Sequence, residues 1–388
     1  MFDLIPQGGY LPKILVVGVG GCGCNTINQL CQAELNDSVQ LVAVNTDAQS
    51  LASAQCTSRL QIGEQSTRGL GAGANPEKGL AAAKESEQAI NELVENADLV
   101  FITGGMGGGT GTGAMPFIAS LVKQLGKPLV AVVTTPFVFE GEQRKHVAQQ
   151  GVEKLSEQAN SLIVLPNDKL VAMLDEKITL INAFNQSNRV LQDVLQGLTV
   201  TISQSGLINI DLNDFVTVIS HQGRAAMGVA RQQGRETLAD TVSQALNNPL
   251  LEEMELSKAK GAIVSVVATE AVELNQYHAI GDLVHQHLGS QAQVIIGLSI
   301  VPDLECELEI MVIATGMPGA SEVSMPNERF NNADLLNITD FLKERGEPQQ
   351  QEEASHAISP EVYDIPSCIR PKGLRKRVML DKSSSRLS

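Results

Sequence analysis

Gly104-Gly105-Met106-Gly107-Gly108-Gly109-Thr110-Gly111-Thr112-Gly113 follows Ala97-Asp98-Leu99-Val100-Phe101-Ile102, a run of strand character, and precedes an Ala/Ile/Leu-rich helical pattern from Ala114 to Gln124. A glycine turn between strand and helix leaves successive backbone N–H groups free to point at one anion. The helix N-terminus adds partial positive charge, so phosphate is the expected guest. Thr110 and Thr112 add hydroxyl donors with little bulk. No lysine closes this turn, unlike the phosphate loop of many nucleotide hydrolases. Backbone dipoles and a cation would have to offset the phosphate charge.

Upstream lies a second glycine turn, Gly18-Val19-Gly20-Gly21-Cys22-Gly23-Cys24-Asn25, after the strand run Lys13–Val17 and before a helical pattern over Thr26–Ala33. Gly18, Gly20 and Gly23 satisfy G-x-G-x-x-G, which alone is a weak sign of a dinucleotide fold. That fold wants an acid roughly 20 positions on, and Leu41-Val42-Ala43-Val44 leads into Asn45-Thr46-Asp47. An oxidoreductase thus remains a local reading, but it leaves the richer turn unexplained. A third turn, Gly69-Leu70-Gly71-Ala72-Gly73-Ala74-Asn75-Pro76, also precedes a helical pattern. Three such turns suit a polyphosphate better than a nicotinamide.

Composition narrows the class. The chain has 388 residues, enough for two compact units and tails. Only 3% of residues are aromatic and none is Trp, against 43% hydrophobic, which points to small aliphatic packing such as a parallel sheet between helices. A net charge of −16 argues against nucleic acid as a partner. Cys22, Cys24, Cys31, Cys56, Cys306 and Cys368 are scattered and no secretory leader precedes them, so they read as reduced cytosolic thiols. Cys22 and Cys24 read as small space-fillers rather than metal or redox ligands. No apolar run is long enough to span a membrane.

From Lys13 to about Leu180, strand-like and helix-like runs alternate, giving an α/β domain with a parallel sheet and ligand loops at the carboxyl ends of its strands. The expected strands are Leu15–Val17, Leu41–Val44, Leu99–Thr103, Leu129–Thr134 and Ser161–Leu165. A long helix is expected over Asn182–Ser203, where Phe184, Val190, Leu191, Val194, Leu195 and Leu198 fall near helical spacing, with Ser205-Gly206 as its stop. A smaller α+β domain follows, with strands at Val216–Ser220, Gly261–Ala268, Ala292–Leu298 and Glu307–Ala314 and helices at Thr237–Leu246 and Ala279–Leu288. The expected division is a 1–11 tail, a 12–181 nucleotide-binding domain, a 182–205 central helix, a 206–318 C-terminal domain, a 319–360 linker, a 361–371 docking peptide and a 372–388 basic tail. Residues 319–360 carry three basic and eight acidic residues and too little apolar surface to order themselves, apart from a transient helix over Asp334–Arg345. Val362–Arg370 is an apolar island in that polar tail, which favours peptide docking.

These segments, together with Pro136-Phe137-Val138-Phe139-Glu140-Gly141-x-x-Arg144, Pro166-Asn167-Asp168-Lys169, Asn209-Ile210-Asp211-Leu212-Asn213-Asp214 and Asp364-Ile365-Pro366, resemble the FtsZ family of bacterial cell-division GTPases, relatives of tubulin. The resemblance runs over about residues 12 to 318 plus the terminal peptide. It implies a tubulin/FtsZ-like fold and an assembly-dependent GTPase, cytoplasmic at the midcell ring, that polymerises head to tail. It implies GTP/GDP, with Mg2+ and, as a second candidate, K+. Gly21, Cys22, Gly23, Cys24 and Asn25 would belong to the first phosphate loop; Gly108, Gly109, Thr110, Gly111 and Thr112 to the second. Asn45 and Gly73 would complete the nucleotide site. Glu140 and Arg144 would meet ribose and phosphates, whereas their spacing alone fits a surface ion pair. Phe184 would stack on the base beside Asn188. Asn209, Asp211 and Asp214 would project onto the next subunit's nucleotide, the acids orienting the attacking water; in isolation N-x-D-x-x-D reads as a capping or calcium-like turn. Residues 361–371 would dock membrane-tethering and regulatory division proteins, with no direct membrane insertion.

Several positions depart from the family pattern. Arg189 stands where an aspartate usually accepts from N1–H and N2–H of guanine, and arginine has no acceptor. Asn188 or Asn25 would have to replace that contact. Cys22 and Cys24 replace glycines, Leu212-Asn213 and Phe215 replace Phe-Ala and Val, and Ser367-Cys368-Ile369 replaces Ala-Phe-Leu. Arg189 and the two thiols favour an alternative, a divergent paralogue that binds nucleotide and co-assembles with or regulates filaments but hydrolyses weakly; the retained Asp211 and Asp214 favour an active enzyme.

Overall fold

The computed structural model describes residues 11–317 apart from 34, 173–178, 204–206, 209, 222, 233–236, 249–250, 252–255, 270–272, 290, 302–305 and 307. Asn209, the Ser205-Gly206 stop, the helix over Asp334–Arg345, the linker, the docking peptide and the basic tail lie outside the described residues, as do residues 1–10.

Five apolar runs of the N-terminal half form parallel strands β1 (Ile14–Val19), β2 (Val39–Asn45), β4 (Leu99–Gly105), β5 (Leu129–Thr135) and β6 (Ser161–Pro166), joined by short β3 (Ser58–Gln61). Helices α1 (Gly20–Leu30), α2 (Ala48–Ala52), α3 (Glu64–Thr67), α4 (Pro76–Glu85), α5 (Glu87–Glu95), α6 (Thr110–Gln124), α7 (Glu142–Ser156) and α8 (Asn167–Ala172) connect them. Both faces of this sheet are buried, hence continuous rather than alternating apolar strands. Ile14 and Val16 of β1 pack on the side of α1 and α9 (Leu180–Ser203), whereas Leu15 and Val17 pack on the side of α6 and α7.

The second half contributes α10 (Leu212–Ile219), β7 (Arg224–Arg231), α11 (Leu238–Leu246), β8 (Gly261–Ala268), α12 (Leu274–His287), β9 (Gln293–Ile300) and β10 (Leu308–Met317). Among the described residues the strands form one ten-stranded sheet, β3-β2-β1-β4-β5-β6-β7-β10-β8-β9. β6 and β7 join the halves through only two register pairs, Leu162↔Arg224 and Ile163↔Ala225. Beyond β7 the pairing turns antiparallel at β10, on both its edges. No described helix is long and apolar enough to cross a membrane.

Two expectations need correction. Val216–Ser220 is not a strand: Asp211 caps α10, and Phe215, Val218 and Ile219 bury one helical face. The strand lies later, at β7. Neither turn-bounded helix starts where its apolar pattern does. α1 begins at Gly20 and α6 at Thr110, so each glycine turn is itself the first helical turn.

Candidate functional site

β1 and β4 are adjacent and parallel, which carries both helix N-termini to the carboxyl edge of the sheet. Neither N-cap, Val19 for α1 or Gly109 for α6, makes a side-chain capping bond. The first-turn N–H groups therefore lack the partners a capped helix supplies, which is the usual state of an anion site. The two turns also touch. Gly20 has φ of 75°, and a Cβ on it would sit 3.3 Å from Gly111 N, so a side chain there is both strained and crowded.

Between the turns opens a cavity of about 390 Å³. Gly21, Cys22 and Asn25 form one wall, and Gly108, Gly109, Thr110 and Gly111 the opposite one. Glu140, Arg144, Phe184 and Asn188 close it from the side of α7 and α9. Sequence-predicted residues from four distant segments thus meet in one place. Glu140 and Arg144 do form the ion pair their spacing suggested, while Glu140 also accepts from Phe137 N at 3.0 Å, and both face the cavity. Phe184 packs edge-on against Phe137, with centroids 5.1 Å apart, which fixes its ring at the rim.

Gly23, Cys24, Asn45, Gly73 and Thr112 are not on the wall. Gly23 instead allows α1 to press on the sheet, because a Cβ would meet Thr103 O at 2.7 Å. Cys24 is buried behind the turn, donating to Val44 O at 3.8 Å and receiving Asn45 Nδ2 at 3.8 Å. Thr112 Oγ1 accepts from Gly107 N at 2.9 Å and so shapes the loop from within. The third glycine turn sits behind the second: a Cβ on Gly109 would meet Ala72 Cβ at 2.8 Å. Asn75 caps α4 by accepting from Glu77 N at 2.8 Å. Its backing role explains why none of its residues reaches the cavity.

Thr134, Thr135, Asn167 and Ser187 line the cavity without having been expected. Thr134 and Asn167 follow directly from the rule that ligands gather at carboxyl ends of parallel strands, since they end β5 and follow β6. Ser187 donates to Asn167 Oδ1 at 2.6 Å, tying α9 to α8. Burial pushes the Cys22 thiol up to about 11, with Thr134 opposing and Glu140 adding to the shift. Cys24 is raised to about 12, chiefly by burial.

Asp211 and Asp214 lie at the exposed start of α10 and are absent from this wall. Asp211 Oδ1 accepts from Asn213 N at 3.2 Å. Below them Phe215 is fully buried, packed edge-on to Phe101 of β4 at 6.4 Å. The preceding segment is pinned by the bridge Ile208↔Leu298, with Ile208 N 3.2 Å from Leu298 O. The acids are presented outward on a firmly anchored base.

Both halves of the chain match a known family. Residues 13–175 match the GTPase domain of the Tubulin/FtsZ family, and residues 223–318 the C-terminal domain of the FtsZ family. The chain belongs to the FtsZ family. It is 43% identical over 325 residues to the cell division protein FtsZ of Wigglesworthia glossinidia brevipalpis, covering 83% of this chain and 84% of that one. FtsZ of Azotobacter vinelandii is 41% identical over 317 residues, 82% of this chain and 80% of its own. Among solved structures, an empty FtsZ dimer from M. jannaschii superposes with a TM-score of 0.76 at 37% identity, covering 81% and 93% of the two chains. As an FtsZ, the chain binds and hydrolyses GTP, self-assembles into filaments and works at the cytoplasmic division ring.

Proposed function

We propose that hydrolysis is completed between subunits: one protomer's cavity holds GTP, and Asp211 and Asp214 of the next orient the attacking water. The observation that carries this reading is that both acids are exposed and off the wall of their own chain's cavity. Asn209 is assigned a supporting role on the family pattern alone. Backbone N–H groups of Gly21, Cys22, Gly109, Thr110 and Gly111 hold phosphates, helped by the α1 and α6 dipoles. Arg144 offsets phosphate charge and Glu140 accepts from sugar hydroxyls, while Phe184 covers a purine face. Gly23, Cys24, Asn45 and Thr112 support the loops from behind, whereas Gly73 is exposed and contacts neither loop.

The wall holds no lysine, and the described residues contain no cluster of three or more metal-ligating side chains. That donor set suits magnesium bound through phosphate oxygens and water rather than a protein cage. Mg2+, with K+ as the second candidate, would supply charge neutralisation at the phosphates. Residues 361–371 are assigned to tethering and regulatory division proteins, supported by the apolar island Val362–Arg370. The test is phosphate release against protein concentration: a divided site requires a threshold below which turnover vanishes, and strict proportionality down to the lowest concentration overturns it.

A further inference from the structure

Guanine offers a 6-oxo acceptor and two donor groups, N1–H and the 2-amino group; adenine offers a 6-amino donor and an N1 acceptor. A site that reads the donors needs an acceptor. Arg189 supplies none and lies exposed, off the cavity wall, where its charge acts on Asp193 one turn along α9. The neighbouring side chain does face the cavity. Asn188 is 9% exposed, one helical turn from Phe184 on the same wall. Its Oδ1 accepts from Cys22 Sγ at 3.5 Å, one of the two bonds that oxygen can accept, and this contact orients the amide. Among the described residues its Nδ2 group makes no hydrogen bond.

We propose that Cys22 is a positioning residue for base recognition: by holding Asn188 Oδ1, it presents the Asn188 Nδ2 donors to the cavity, so that this chain selects 6-oxopurines over 6-aminopurines. The inference rests on the assignment of this cavity to GTP with the base at Phe184. Turned this way, Nδ2–H meets the O6 of guanine or hypoxanthine favourably but opposes the 6-amino group of adenine, donor against donor. The thiol keeps its proton through the neutral range, as burial raises it, so the donation persists. Its second neighbour, Thr134 Oγ1 at 3.8 Å, steadies the sulfur from the β5 side.

The experiment is competition of GTP, ITP and ATP against a fluorescent GDP on the full-length protein below its assembly threshold. Expected for the natural chain is ATP bound more weakly than either GTP or ITP by about tenfold or more, the worth of one buried polar mismatch. Cys22→Ser keeps a donor and should preserve the GTP/ATP ratio. Cys22→Ala frees the amide to turn and should collapse that ratio toward one. Arg189→Ala should leave both ratios unchanged, because the nucleotides carry equal phosphate charge. ATP bound as tightly as ITP, or an unaltered GTP/ATP ratio in Cys22→Ala, overturns the proposal. Failure of the fluorescent GDP to bind at all would instead overturn the cavity assignment.

Discussion

Replacing Asp214 with alanine tests the divided site most directly. The side chain is exposed in the first turn of α10, so folding loses only its interaction with the helix N-terminus, about 0.3–1 kcal/mol. Asp211 is a poorer probe, because its carboxylate caps α10 and removal costs about 1 kcal/mol of stability besides any effect on turnover. Loss of a carboxylate beside the attacking water should lower kcat by about 10²–10⁴-fold while GTP still binds. The complementary variant is Gly21→Asp. A Cβ there meets nothing within 4 Å, so the new carboxylate enters the cavity without displacing the wall. At about 4 Å from a phosphate charge it adds roughly 1–4 kcal/mol of repulsion. With GTP held below the weakened affinity of Gly21→Asp, each variant alone should release little phosphate. Mixed in equal amounts, about a quarter of head-to-tail interfaces would join an intact cavity to intact acids, and turnover should recover toward that fraction. Undiminished turnover in Asp214→Ala, or mixed filaments that co-sediment without any recovery, refutes the reasoning.

Gly113→Ala should part α4 from α6, since its Cβ would lie 2.0 Å from Pro76 O; a loss of about 1–3 kcal/mol in urea denaturation is expected. Phe215→Ala should cost about 3–5 kcal/mol and loosen the base on which both acids stand, so turnover should fall more than nucleotide binding does. Stability should decline at alkaline pH: folded Cys22 and Cys24 keep their protons to about 11 and about 12, whereas unfolded thiols ionise earlier. The unfolded chain then binds fewer protons, so stability is fully present below the unfolded thiol pKa and is lost as pH rises through the folded values. Urea midpoints across that range should fall less steeply in Cys24→Ala. Deleting residues 361–371 should leave assembly and phosphate release intact while abolishing ring attachment in cells, scored by fluorescence microscopy.

How far the sequence could be read depended on how local each cause was. β1, β2, β4, β5 and β6 were legible because a strand buried on both faces needs nothing but continuous apolar residues. β7, Arg-Ala-Ala-Met-Gly-Val-Ala-Arg, was missed for a reason in its packing. A Cβ on Gly228 would sit 1.9 Å from Ala245 O of α11, so helix contact demands small residues in place of β-branched ones. The β-branched run fell instead in α10, where Asp211 and the burial of Phe215, Val218 and Ile219 outweigh strand propensity. The phosphate turns were visible as glycine patterns, yet the contact between Cys22 and Asn188 joins positions 166 apart and exists only once α9 lies along α1. The acids of α10 extend the same logic by one molecule. Within a single chain Asp211 and Asp214 satisfy no cavity and bury no surface beyond a helix cap. If selection acted on this fold alone, other capping and solvent-facing residues would serve there as well. Two carboxylates held outward on an anchored base gain a purpose when a second copy brings its phosphates to them, and that is why hydrolysis should fail wherever assembly fails.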